Sequence, residues 1–135
     1  IEGRVRDTFK TAKGKFVAPA KLEEPLSAHP AIEQVCVVGL GLPHPLALIN
    51  LSENGNKLAP EQLTKGLEQL LQAVNATLER HYHIATLVIT TEEWTIANNL
   101  LTPTLKVRRQ AIDAHYQAHY PGWHDRPETV IWENA

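Results

Sequence analysis

The sequence of 135 residues contains no methionine, a single cysteine and few aromatic residues. Cys36 cannot form an intrachain disulfide, and its apolar neighbours predict a buried thiol in a reducing compartment. No apolar run approaches the roughly 20 residues that span a bilayer, and no signal peptide is recognisable. We therefore expect a cytoplasmic protein without a transmembrane segment, with peripheral membrane contact left open. Since even the first residue is not methionine, we also expect a domain excised from a longer chain.

Charge is nearly balanced but unevenly distributed. The net charge is −2, whereas a general nucleic-acid binder is usually strongly basic, so we expect no nucleic-acid partner. Basic side chains nevertheless crowd near the start of the chain and again at Lys106, Arg108 and Arg109. Two basic clusters in a nearly neutral chain favour a localised anion site.

Hydrophobic spacing and turn residues predict an α+β fold. The predicted order is hairpin, helix, strand, strand, helix, strand, loop and helix, which gives a small three-stranded sheet flanked by helices and preceded by an N-terminal β-hairpin. A turn is predicted at 53–57, a capping box with a short helical turn at Thr90 and Glu93, and a short β-like stretch at 129–132. The main elements are predicted at 3–19, 19–28, 32–41, 45–53, 60–82, 84–90 and 107–120.

The opening hairpin is the first candidate site. Lys10, Lys13 and Lys15 surround Gly14, so donors for a phosphate lie beside a residue that lets a ligand approach the backbone. The alternative is an edge hairpin whose lysines discourage aggregation, which the pattern alone favours.

The second candidate is Lys106, which follows a proline-containing loop and precedes a helix. A lysine so placed can bring its ammonium to a charged oxygen in the cleft of another domain. The alternative is a solvated lysine, although a cation near a helix N-terminus costs about 0.3–1 kcal/mol.

Histidine pairs at 81 and 83 and at 115 and 119 have spacings that can hold zinc. Neither pair is supported by cysteine or by the HExxH pattern. We therefore predict no metal site in this domain.

Three segments together resemble one family. They are GRVRDTFKTAKGKFVAPAKLE at 3–23, VVGLGLPHPLALI at 37–49 and WTIANNLLTPTLKVRR at 94–109. In this order they resemble the C-terminal domain of adenylate-forming enzymes, in the form found in long-chain acyl-CoA synthetases. Two departures are Asn99, where the family often has glycine, and Ala97, where it commonly has an acid.

The resemblance implies that 1–135 is a lid domain, with a hinge at 1–6 and the N-terminal adenylation domain absent. The full-length enzyme would use a fatty acid, ATP with Mg²⁺ and coenzyme A, whereas the isolated domain would bind no cofactor and show no turnover. Glu23 matches an acid with a structural role. The implied site residues are Lys106 for adenylation, Arg4 and Arg6 at the nucleotide and hinge, and Lys10, Lys13, Gly14 and Lys15 along the coenzyme A tunnel.

Two alternatives remain open at this point. One is the lid of another adenylating enzyme, which acts on a different carboxylate or loads a carrier protein. The other is a non-catalytic module that binds phosphate or a partner through its basic clusters.

Overall fold

Helices cover both faces of a small sheet in the computed structural model, which describes residues 8–39 and 41–133. The α+β class and the N-terminal hairpin are confirmed. The elements are β1 Phe9–Lys10, β2 Phe16–Val17, α1 Pro19–Ser27, β3 Ile32–Val38, β4 Leu46–Leu51, α2 Glu53–Lys57, α3 Pro60–Ala76, β5 Thr86–Ile89, α4 Arg109–Tyr116, α5 Tyr120–His124 and β6 Val130–Trp132, with 3₁₀ turns at Arg80–Tyr82 and Gln117–His119.

The sheet has four strands over the described residues, in the order β3-β4-β5-β6, and not the three predicted. β3 and β4 are antiparallel, while β4 with β5 and β5 with β6 are parallel. The extra strand is the β-like stretch at the C-terminal end, where Val130 and Ile131 are buried beside β5. A stretch of three residues is too short for its pattern alone to distinguish a strand from a loop.

Successive residues of the strands point into two separate cores, because side chains alternate between the faces of a sheet. Val35 and Val37 face the core that α1 and α3 cover, while Cys36 and Val38 face the core that contains Trp94. The thiol of Cys36 is fully buried, as the sequence predicted. Residues 35–38 of β3 form an apolar run because this part of the strand is covered on both sides.

Two helices differ from the prediction. α3 keeps the predicted apolar stripe but ends at Ala76 and not near residue 82. There Thr77 stops the helix, and its hydroxyl donates to the carbonyl of Val74 at 2.8 Å. The predicted turn at 53–57 is instead the short helix α2, because the Ser52 hydroxyl accepts from the backbone N–H of Gly55 at 3.1 Å as an N-cap.

The capping box predicted at Thr90 and Glu93 is wrong. The Thr90 hydroxyl donates to the carbonyl of Ile49 at 2.7 Å and accepts from the amide of Asn50 at 2.6 Å. The side-chain oxygen of Asn50 in turn accepts from the backbone N–H of Trp94 at 2.7 Å. The hydroxyl is therefore held by contacts across the sheet and does not cap a helix.

The last predicted helix is divided. It starts at Arg109 and gives way at Gln117 to a 3₁₀ turn. Pro121 lies in the first turn of α5, a position that suits proline, and does not end the helical region as predicted.

Candidate functional site

The predicted lysine hairpin is present over its described residues. The backbone N–H of Thr11 donates to the carbonyl of Lys15 at 2.8 Å, and that of Gly14 donates to the carbonyl of Thr11 at 3.0 Å. The Thr11 hydroxyl accepts from the backbone N–H of Lys15 at 3.3 Å. Gly14 has φ +80°, a left-handed conformation that glycine adopts without steric cost.

The loop that carries Lys106 repeats this hydrogen-bond pattern. The N–H of Thr102 donates to the carbonyl of Lys106 and that of Leu105 to the carbonyl of Thr102, both at 2.8 Å. The Thr102 hydroxyl accepts from the N–H of Lys106 at 3.1 Å. TAKGK at 11–15 and TPTLK at 102–106 therefore share one loop geometry, in which threonine begins the turn, the fourth residue is left-handed and lysine follows. The shared Thr-x-x-x-Lys spacing is visible in the sequence, but sequence analysis missed it.

Leu105 occupies the left-handed position of the second loop, with φ +65° and a 57% exposed side chain. For a residue with a Cβ this conformation costs roughly 1–2 kcal/mol. The Nε2 of Gln34 donates to the carbonyl of Leu105 at 3.5 Å and helps to hold the turn. Asn99 is also left-handed, with φ +67°. Asparagine therefore adopts a left-handed backbone at the position where glycine is often expected.

Lys106 is exposed at the start of the return segment from this loop. Within residues 8–39 and 41–133, no carboxylate lies at salt-bridge distance from its ammonium. Because α4 begins only at Arg109, the lysine precedes the helix and does not lie in its first turn. Its charge is therefore available to an external anion.

The two lysine loops lie at opposite ends of β3. The second loop contacts Gln34, near the start of the strand. The hairpin contacts the segment just after the strand, where the N–H of Ala12 donates to the carbonyl of Leu42 at 2.8 Å and the N–H of Gly41 donates to that of Lys10 at 3.0 Å. The part of β3 between Gln34 and Val38 is roughly 13 Å long. The structure thus does not bring Lys106 together with the hairpin lysines.

The hairpin lysines differ in their surroundings. The ammonium of Lys10 lies 5.6 Å from the centroid of Phe16, whose ring is 63% exposed. Lys13 and Lys15 are exposed to solvent. Arg4 and Arg6, with the hinge predicted at 1–6, lie outside the described residues.

An ion pair links the two helices that follow the lysine loops. Glu23 of α1 accepts from the guanidinium of Arg109 in α4 and, at 2.9 Å, from the backbone N–H of Val37. The Nε of Arg109 donates to the carbonyl of Val37 at 3.3 Å. Both charged side chains are only 17% exposed. The pair therefore covers backbone groups of β3 and fixes α1 relative to α4.

Glu23→Gln should lower the free energy of unfolding by about 1–3 kcal/mol, because it removes the charge of the carboxylate that the partly buried guanidinium of Arg109 contacts. Urea unfolding of the chain measures the change. Glu24→Gln, at the exposed neighbouring position, is the matched control and should shift stability by less than about 0.5 kcal/mol. Equal losses in the two variants would show that the ion pair has no special role.

A cleft of about 800 Å³ opens between the sheet and the second loop. Asn50, Trp94 and Leu105 are among the residues that line it. The carboxylates around it make it a poor place for a polyphosphate, since like charges repel. These acids are Glu33, Glu53, Glu92 and Glu93.

Two of the histidines singled out by spacing, His115 and His119, have other partners. The Nε2 of His115 lies 2.8 Å from a carboxylate oxygen of Glu92, and His119 stacks on Trp123 with ring centroids 5.3 Å apart. The described residues hold no group of three or more potential ligands arranged for a metal ion. Nor is any helix among them long and apolar enough to cross a bilayer.

Comparison with known proteins gives a match over most of the chain. A sequence model described as the AMP-binding enzyme C-terminal domain matches residues 6–120. A chloroplast long-chain-fatty-acid–[acyl-carrier-protein] ligase of Arabidopsis thaliana is 31% identical over 124 residues, covering 87% of this chain and 16% of that protein. A long-chain-fatty-acid–CoA ligase of Mycobacterium tuberculosis is 30% identical over 129 residues, covering 83% of this chain and 22% of that protein. The chain thus spans about a sixth to about a fifth of these relatives.

Among solved structures, the adenylation domain of a carboxylate reductase from Mycobacterium chelonae aligns with a TM-score of 0.76. The match covers 91% of this chain and 20% of that one, at 24% identity. At this identity the likeness concerns the fold alone.

Proposed function

Because this chain belongs to the family of AMP-binding enzyme C-terminal domains, we propose that it is the lid domain of an ATP-dependent, AMP-forming long-chain fatty acid–CoA ligase. In the full-length enzyme, a fatty acid carboxylate attacks the α-phosphate of ATP, which enters with Mg²⁺, and pyrophosphate leaves. The thiol of coenzyme A then attacks the acyl carbon and AMP leaves. The N-terminal adenylation domain of the same chain is the partner that holds most of the substrate.

The observation that carries this proposal is the position of two lysine loops of one geometry at opposite ends of β3. A single rigid surface cannot present both loops to one reaction centre, because much of the length of β3 lies between them. Rotation of the lid brings each loop to the centre in turn.

In the first step, Lys106 acts on the reacting atoms. Its ammonium stabilises the negative charge that develops between the carboxylate and the α-phosphate. The left-handed turn at Leu105 and the hydroxyl of Thr102 hold the backbone from which this side chain projects.

In the second step, the hairpin faces the reaction centre. Gly14 leaves room for the pantetheine arm beside the backbone, while Lys10, Lys13 and Lys15 supply positive charge for the phosphates of coenzyme A. We assign Arg4 to the nucleotide and Arg6 to the hinge, on the family resemblance alone.

A second candidate is the same lid in an enzyme that transfers the acyl group to a carrier protein. It is favoured by the similarity to the Arabidopsis protein, which is named as a ligase for acyl carrier protein. The acceptor end of coenzyme A and the carrier-bound prosthetic group share a phosphopantetheine arm, so the hairpin suits either. The LLTPTLK form of the lysine loop favours coenzyme A.

Assays on the full-length protein test this proposal. With palmitate and ATP, we expect palmitate-dependent exchange of pyrophosphate into ATP, followed by palmitoyl-CoA formation when coenzyme A is added. The 135-residue chain by itself should show neither activity. Absence of exchange with any long-chain fatty acid would refute the ligase assignment. Faster transfer to phosphopantetheinylated carrier protein than to coenzyme A would favour the second candidate.

A further inference from the structure

Two histidines meet at one end of the sheet, beside the lysine hairpin. The carbonyl of Pro45 accepts from the N–H of Ala85 at 2.9 Å, and the Thr86 hydroxyl donates to the carbonyl of Trp123 at 3.4 Å. These bonds bring His44, which precedes Pro45, close to His124, which follows Trp123. The two rings are parallel to within 4°, with centroids 6.4 Å apart.

One nitrogen of each ring has no hydrogen-bond partner within the described part of the chain. These atoms are Nδ1 of His44 and Nε2 of His124, and both are buried. Leaving a buried polar atom without a partner costs about 1–3 kcal/mol, so such atoms usually have a role. An imidazole N–H can donate a hydrogen bond to an oxygen of a bound acceptor.

Several basic side chains lie near His44. Burial lowers the pKa of His44 most, and the charges of Lys13, His124, His83 and Arg80 lower it further. One acid beside the pair is Asp125, whose carboxylate lies 3.8 Å from the other nitrogen of His124 and is 85% exposed. A neutral acceptor such as water would satisfy the nitrogens, but an anion also offsets the positive charge.

We infer that His44, His124 and Lys13 form a phosphate-binding site for the phosphopantetheine arm of the acyl acceptor. This inference rests on the proposed function, because Lys13 belongs to the hairpin that faces the acceptor in the second step. The N–H of Ala12 donates to the carbonyl of Leu42 and so attaches the hairpin to the segment that carries His44. The imidazoles donate to the phosphate oxygens, and the ammonium of Lys13 supplies the charge at the solvent side.

Nitrogen NMR of the chain with isotope-labelled histidine tests the site, using inorganic phosphate, coenzyme A and pantetheine as probes. We expect saturable shifts of the His44 and His124 ring nitrogens with phosphate and with coenzyme A, and none with pantetheine, which carries no phosphate. His44→Gln, His124→Gln and Lys13→Gln should each weaken phosphate binding by about tenfold. His115→Gln, which alters a half-exposed histidine paired with Glu92, is the matched control and should leave binding unchanged.

Three results would overturn the inference. They are no shift with either phosphate-bearing probe, equal shifts with pantetheine, and a response of these nitrogens to zinc chloride but not to phosphate. Equal weakening in the His115 variant would likewise refute a local site. Phosphate binding to the chain does not require adenylation, so failure here is separable from failure of the ligase assay. A carrier protein with its phosphopantetheine attached should shift the same nitrogens if it, and not coenzyme A, is the acceptor.

Discussion

Replacing Lys106 with alanine should slow acyl-adenylate formation in the full-length enzyme by about a hundredfold to a thousandfold, the usual effect of removing one preorganised donor to a developing negative charge. Thioester formation from supplied acyl-adenylate should be spared, because the hairpin faces the reaction centre in that step. Pyrophosphate exchange reports the first step, and thioester release from synthetic acyl-adenylate reports the second.

Lys65→Ala provides the control for this experiment. Lys65 is an exposed lysine on α3, remote in sequence from both lysine loops, and its loss should change neither rate. Comparable losses of both half-reactions in the Lys106 variant would contradict the assignment, because they would indicate a general defect of the lid.

Replacing Gly14 with leucine should affect the second half-reaction and spare acyl-adenylate formation. It should slow thioester formation by about a hundredfold, since small displacements of reacting groups have effects of this size. Among residues 8–39 and 41–133 the substitution is sterically mild, because a Cβ at Gly14 would meet only Cε of Lys10, at an ordinary contact distance of 3.8 Å. The left-handed φ of +80° adds roughly 1–2 kcal/mol of strain for any residue with a Cβ. The larger effect therefore comes from blocking the path of the pantetheine arm.

Gly14→Ala distinguishes the effect of side-chain size from the effect of backbone strain in the same assay. Alanine has the backbone strain of leucine but a much smaller side chain, so its second-step rate should lie between those of glycine and leucine. If alanine and leucine are equally slow, strain explains the effect. If leucine leaves the second step unaffected, the tunnel assignment is wrong.

Short sequence patterns predicted much of the fold because the interactions that produce them lie within a few residues of the chain. Pro19 starts α1, and Leu22 and Leu26 are buried on one face as their spacing indicated. From Val35 to Val38, β3 is buried on both faces, as its near-continuous apolar run indicated. These outcomes depend on backbone sterics and on burial of neighbouring apolar side chains, which a short segment contains.

Predictions failed where a side chain has a distant partner. Thr90 has the spacing of a capping box, but Ile49 and Asn50 hold its hydroxyl across the sheet. The fourth strand is another case, since Val130 and Ile131 need β5 as a neighbour to form one. In each case the partner lies tens of residues away, so no pattern within a window of sequence contains it.

The sequence by itself determined the α+β class, the two segments that carry the candidate lysines and the glycine of the hairpin, because turn chemistry and apolar spacing act over a few residues. Only the tertiary structure decided that the two lysine loops lie at opposite ends of β3, that Glu23 meets Arg109 across 86 residues, and that His44 lies against His124. The physical reason is that strand order and helix packing set these distances. A site made from several loops is therefore complete only when the sheet has formed.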